Sequence, residues 1–209
     1  YKTIEHRSAF VKLPLKNRPG ESLLVWTTTP WTLTSNVGAA INPKLTYLQV
    51  KLKDEIFYVA KGAFKLNRME SSGSDEEEAT PAGKKSKRDW IDGVPHLKSI
   101  EQIFKEKAGK EGFTIAGEIL GQEMLGWEYV GPFDDLHAQQ QAHGFPEEVA
   151  RVVKAQGWSD EISGASAHRV ISGGDDVTES EGTGIVHTAP GCGQIDFAWG
   201  KQNKLPPIA

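Results

Sequence analysis

The stretch Val25-Trp26-Thr27-Thr28-Thr29-Pro30-Trp31-Thr32-Leu33-Thr34-Ser35-Asn36 sets the tightest limit on how this chain folds. Leu23-Leu24-Val25-Trp26 has the apolar run of a buried strand, and three threonines end it. Pro30 then withdraws a backbone donor and fixes φ, so the strand stops and the chain turns. Taken alone, threonines at a strand end are ordinary β-propensity and turn chemistry. So many hydroxyls and an amide between and just beyond two tryptophans are more than a strand end requires. They are what a pocket needs to hydrogen-bond a polar ligand.

The rest of the chain reads as short strands punctuated by Gly, Pro and Asn. Residues 8–15 alternate as a strand, closed by Asn17-Arg18-Pro19-Gly20. Val37–Ile41 reads as a buried strand. Tyr47–Leu52 and Glu55–Ala60 flank Lys53-Asp54 as a hairpin, and residues 60–69 follow as a short helix. Ser99 is placed to cap a helix to Lys107, with Ile100, Ile103 and Phe104 on one face. Phe113–Leu120 and His168–Ser172 read as strands, the stretch 124–133 as turn-rich, and residues 134–156 as helical. Between them, Ser71–Arg88 has no large apolar residue and sets an acidic block against a basic one. Such a segment cannot bury enough surface to offset its ordering entropy, so residues 70–95 are expected to be a flexible insertion. Lys84, Lys85, Lys87 and Arg88 read as part of a solvated linker rather than an RNA contact.

Many short strands of non-local order with few helices point to a mixed α/β chain with a β-barrel-like core and peripheral helices. The 209 residues are expected to form one domain excised from a longer protein, both ends being abrupt. A net charge of −4 argues against a surface that grips a duplex by its phosphates, leaving room for a short single-stranded end. Cys192 is the single cysteine, which rules out an internal disulfide and a multi-cysteine zinc site. No apolar run is long enough to span a bilayer.

A second dense stretch repeats the logic of the first. Gly182-Thr183-Gly184-Ile185-Val186-His187-Thr188-Ala189-Pro190-Gly191 is an apolar strand reached through glycines and closed by proline, and Asp196 follows at a predicted helix start. There, backbone N–H groups would orient the carboxylate and keep it ionised. A carboxylate, an imidazole and several hydroxyls suit a small molecule bearing an ammonium group. His187, Cys192 and Asp196 are poor metal ligands as a set, because the segment is glycine-rich and lacks a fourth donor.

The two stretches resemble the editing domain (connective peptide 1) of isoleucyl-tRNA synthetase, a class I aminoacyl-tRNA synthetase. Thr27-Thr28-Thr29-Pro30-Trp31-Thr32-Leu33 with Asn36 matches the family's threonine-rich motif. Gly182–Gly191 with Asp196 matches its second motif, and Leu125-Gly126, Tyr129 and Pro132-Phe133 match the stretch between. Thr29-Pro30-Trp31 stands where the related valyl and leucyl domains carry Arg-Pro, which points to the isoleucyl branch. Thr34, Cys192 and Ile195 depart from the family pattern.

The resemblance implies the Val/Ile/Leu-tRNA synthetase editing-domain fold and hydrolysis of mischarged Val-tRNA(Ile). It implies Thr27, Thr28 and Asp196 as catalytic residues and Thr29, Asn36, His187 and Trp31 as substrate-binding ones, with no metal. Asp196 would pair with the α-ammonium, and His187 would narrow the pocket against isoleucine. The implied partners are the aminoacylated 3′ end of tRNA(Ile) and the rest of the synthetase, with no membrane, in a monomer. Editing itself needs no cofactor; ATP and Mg serve elsewhere in the full-length enzyme, and the chain has neither a His-Ile-Gly-His nor a Lys-Met-Ser-Lys-Ser signature for ATP handling. The compartment expected is the bacterial cytoplasm or the mitochondrial matrix. The competing function is a tRNA-end-binding or structural insertion with weak or lost deacylation.

Overall fold

The structure is a computed structural model that describes residues 8–66, 98–141, 162–180 and 182–208. The expected insertion at 70–95 and the part of the expected helical stretch beyond residue 141 lie outside them.

Strand β1 (Ala9–Pro14) and β2 (Glu21–Thr27) form an antiparallel hairpin over the turn at Gly20, with Pro14 opposite Ser22. Strands β4 (Thr46–Leu52) and β5 (Glu55–Ala60) form the expected hairpin around Lys53-Asp54. β5 lies parallel to β2, and β6 (Thr114–Leu120) pairs with β4, giving a five-stranded sheet in the order β1-β2-β5-β4-β6. A second sheet has β3 (Gly38–Ile41) between β7 (Arg169–Ser172) and β8 (Ile185–Thr188). All four residues of β3 are buried, as a central strand of small and β-branched residues should be. Helix α1 (Ile100–Ala108) starts at the expected cap. Ser99 Oγ accepts from the Gln102 N–H at 3.2 Å and Gln102 Oε1 from the Ser99 N–H at 3.0 Å, a reciprocal pair. Its buried Ile100 and Phe104 join the main core, where the Phe104 and Phe57 rings meet edge to face.

The mixed α/β class expected from the sequence is observed. The strands, however, form two sheets and do not close into a barrel. The cause lies in the opening stretch. After Thr27 the chain enters a 3₁₀ turn, Pro30–Ser35, and reaches β3 in the other sheet, so β2 and β3 share no ladder. What joins the two sheets at their edges is the turn-rich stretch near 126–130. Tyr129 bridges Leu15 beside β1, and Glu128 bridges Arg169 in β7. β2 also lies against β8, and the Ala60 N–H donates to Thr183 O at 2.8 Å. The threonine turn is therefore the crossing point between the sheets.

Two glycines make the approach to β8 possible. Gly184 has φ +69°, and a Cβ there would lie 2.3 Å from the Cβ of Ala60. Gly182 has φ +64° and faces Trp26. The Tyr47 hydroxyl holds this approach by donating to Gly184 O at 2.8 Å. Burial, with a smaller push from Glu179, raises the Tyr47 phenol to about 12, so it stays a donor.

Candidate active site

The end of β2, the threonine turn and the β8 segment enclose a cavity of about 300 Å³. Thr27, Thr28, Thr29 and Thr32 line one side with Trp26. Thr183, His187, Cys192 and Asp196 line the other, and Asp176 and Thr178 lie at its rim. Two stretches more than 150 residues apart thus share one cavity.

The threonine wall is internally bonded. The Thr29 N–H donates to Thr27 Oγ1 at 3.1 Å, and the two hydroxyls are 3.3 Å apart. Thr32 donates through its hydroxyl to Thr29 O at 2.8 Å. The same hydroxyl lies 3.0 Å from His187 Nε2. A hydroxyl has one hydrogen, and Thr32 directs it to Thr29 O, so His187 must donate from Nε2. That fixes the tautomer: the proton sits on Nε2 and Nδ1 carries the lone pair. Burial lowers the His187 pKa below 6.5, against an opposing pull from Asp196, so the ring is neutral. Nδ1 is shielded and makes no hydrogen bond among the described residues. The imidazole is therefore a wall of fixed orientation, not a base aimed at a water.

Asp196 is the third residue of helix α2 (Gln194–Asn203). The helix N-cap is Gly193, which has no side chain to offer. Asp196 Oδ1 instead accepts the Ala189 N–H at 3.0 Å, tying the helix start back to the end of β8. This fixes one carboxylate oxygen and leaves Oδ2 for a ligand in the cavity.

Five of the seven residues singled out from the sequence line the cavity: Thr27, Thr28, Thr29, His187 and Asp196. Asn36 and Trp31 do not. Asn36 is fully buried, with Nδ2 donating to Gly38 O at 2.9 Å and Oδ1 accepting from the Tyr129 hydroxyl at 2.7 Å. Its amide is occupied inside the fold. Trp31 sits on the outside of the 3₁₀ turn, 64% exposed. Thr32, a motif residue to which the resemblance gives no role, also lines the cavity. The signal was available: side chains three apart on a 3₁₀ turn share a face, and Thr32 follows Thr29 by three. Asp176 and Thr178 carried no local sign. Among the described residues, no group of three or more His, Cys, Asp or Glu side chains is arranged to hold a metal ion, and no helix is long and apolar enough to cross a membrane.

No protein-family profile matches the chain. Comparison with characterised proteins is more informative. The chain is 31% identical over 208 residues to the isoleucine–tRNA ligase of Sulfolobus acidocaldarius, 32% over 206 to that of Pyrococcus horikoshii, and 33% over 208 to that of Clostridium tetani. Its homologues are isoleucine–tRNA ligases. These alignments cover 100%, 99% and 100% of this chain but 14% of each ligase, so the chain aligns with about a seventh of the length of these relatives. The resemblance to isoleucyl-tRNA synthetase drawn from the two motifs is borne out. Among solved structures, the chain matches one described as the crystal structure of GlLeuRS-CP1, with a TM-score of 0.45 and 16% identity, over 85% of this chain and 42% of that one.

Proposed function

We propose that this segment, residues 1–209, is the editing domain of an isoleucyl-tRNA synthetase and hydrolyses the ester of Val-tRNA(Ile). The observation that carries the reading is the convergence of the threonine turn and the Gly182–Asp196 stretch on one cavity, in a chain whose homologues are isoleucine–tRNA ligases. The need for such a site is physical. A synthetic pocket sized for isoleucine admits valine at the loss of one methylene of contact, a difference too small for one binding step to reject reliably. A second, smaller pocket corrects the error.

The geometry supports the following roles in this reading. Asp196 Oδ2 takes the α-ammonium in a charge-assisted hydrogen bond. The hydroxyls of Thr27, Thr28 and Thr29 hold the ester and the terminal ribose and place the water. His187, locked by Thr32, forms the side-chain wall that isoleucine's extra methylene meets. Water adds to the ester carbonyl carbon, the bond to the ribose oxygen breaks, and that oxygen leaves with a proton as valine is released. With His187 turned to Thr32, the proton passes through water and the neighbouring ribose hydroxyl. Orientation is the main contribution, as suits an already reactive ester.

The partners in this reading are the aminoacylated 3′ end of tRNA(Ile) and the remainder of the synthetase. The test is deacylation of Val-tRNA(Ile) against Ile-tRNA(Ile), by the chain and by the full-length synthetase. Faster release of valine than isoleucine is expected. A valyl ester as stable with both proteins as in buffer would sink the reading in favour of a domain that only binds or spaces the tRNA end.

A further inference from the structure

We propose that Gln139 is a positioning residue that caps the threonine turn from outside and so holds the Thr32–His187 contact in register. The consequence for catalysis rests on the editing reading; the positioning itself does not.

The turn Pro30–Ser35 is short and 3₁₀, a helix type with poor hydrogen-bond geometry, and its N-cap residue Thr29 makes no side-chain cap bond. Its last carbonyls are the groups a helix end leaves without partners. Gln139 supplies them. It is 1% exposed, and its Nε2 donates to Thr34 O at 2.8 Å and to Asn36 O at 2.9 Å. Both hydrogens of one amide thus clamp two carbonyls at the end of the turn, from more than 100 residues away. Thr32, in the middle of that turn, is the residue that meets His187.

The cost of this arrangement argues for its purpose. Gln139 Oε1 is buried and has no hydrogen-bond partner among the described residues. A methionine would fill the same space without stranding an oxygen; glutamine adds two donors. The structure also makes room for that oxygen. A Cβ on Gly164 would lie 1.9 Å from Gln139 Oε1 and 2.4 Å from Ile208 Cδ1, so a side chain there would push both aside. The short helix His137–Gln140 that carries Gln139 packs against both the threonine turn and the short helix Gly164–Ala167.

The test uses the full 209-residue chain with Gln139→Met, which keeps volume and removes both donors, and Gly164→Ala, which keeps the amide but displaces it, along with Ile208 Cδ1. The primary readout is the ¹⁵N shift pair of the His187 imidazole. In the parent it should report a proton held on Nε2. In either variant it should move toward averaged tautomers while the other histidines keep their shifts. Phe104→Leu, in the core beneath α1 and away from the cavity, controls for general destabilisation: it should lower Tm and leave the His187 tautomer alone. A purely structural Gln139 would behave like this control, and an unchanged His187 tautomer in both variants overturns the proposal. The second readout is deacylation. The valyl ester should lose about tenfold or more in kcat with little change in KM, because the wall is misplaced rather than removed. Discrimination against the isoleucyl ester should narrow with it. A parent that deacylates neither ester defeats the editing reading, and the tautomer readout still decides the positioning role.

Discussion

Asp196→Asn separates what this carboxylate does for the fold from what it does for a ligand. The substitution keeps an oxygen to accept the Ala189 N–H, now made at 3.0 Å, and removes the negative charge. On the structural side, the loss is the favourable interaction of that charge with the first turn of the helix, about 0.3–1 kcal/mol. For a chain of this length that lowers Tm by roughly 1–4 °C. On the ligand side, a hydrogen bond to a charged group contributes about 1.5–3 kcal/mol. The cavity opens to water and Asp196 is only half-buried, so screening favours the lower half of that range. Deacylation of Val-tRNA(Ile) should therefore fall about 10- to 50-fold in kcat/KM.

The decisive comparison uses a second substrate, Nα-acetyl-Val-tRNA(Ile), which has no ammonium. The parent should treat it as poorly as the Asp196→Asn chain treats the ordinary ester, and the variant should gain no further penalty from acetylation. This is a double-mutant cycle with one change on the protein and one on the substrate. If the variant stays within about threefold of the parent, or the acetyl penalty is equal in both, the ammonium assignment is refuted. Asp196 would then be a helix anchor only.

Three further outcomes follow from the same geometry. Thr32→Val keeps the shape of the turn but leaves the His187 Nε2–H without its acceptor at 3.0 Å; the buried, unpaired donor should cost about 1–3 kcal/mol in urea unfolding and loosen discrimination between valyl and isoleucyl esters. A loss below about 0.3 kcal/mol would mean that His187 finds another partner. Burial lowers the pKa of both His187 and His168 below 6.5, so the unfolded chain binds more protons than the folded one as pH falls through that value. Stability from these groups is full above pH 6.5 and drains away as pH drops toward their lowered folded values. Tm measured downward from pH 7.5 should decline first in that window, and a flat Tm across it would contradict the burial argument. Gly184→Ala forces an L-residue to φ +69° with its Cβ 2.3 Å from that of Ala60, so it should cost about 2 kcal/mol or more and pull β8 from β2. A neutral result in chemical denaturation would show that the approach to β8 relaxes freely.

Much of the framework was legible because its causes are local. Both hairpins announce themselves by apolar runs around turn chemistry, and the helix at Ser99 announces itself by Ser and Gln three apart, the pair that makes the reciprocal cap. Thr27, Thr28, Thr29, His187 and Asp196 were legible for a related reason: each sits just where a strand or helix begins or ends, the positions from which a side chain reaches a cavity. What the chain's order hides is pairing across long separations. Sheet closure is of that kind. The eight short strands among the described residues are compatible with a barrel or with two sheets, and the choice turned on whether β2 continues into a ladder with β3 or breaks at Pro30.

Asn36 marks the boundary between the two kinds of inference. Thr27, Thr28, Thr29 and Thr32, a few residues before it, do line the cavity, and its type suits ligand binding. Its actual partners come from elsewhere: Tyr129, 93 residues on, fills its carbonyl oxygen, and Gln139, 103 residues on, its backbone oxygen. Polar density therefore does not identify a ligand contact until each donor and acceptor has been assigned. The same accounting runs in the opposite direction for Thr32. Its one hydrogen goes to Thr29 O, which makes His187 the donor and, under the editing proposal, leaves orientation as the work of the site. A site that works by orientation depends on whatever fixes its walls. Under the editing proposal, that places Asn36, Tyr129 and Gln139, none of which lines the cavity, among the residues expected to set its selectivity.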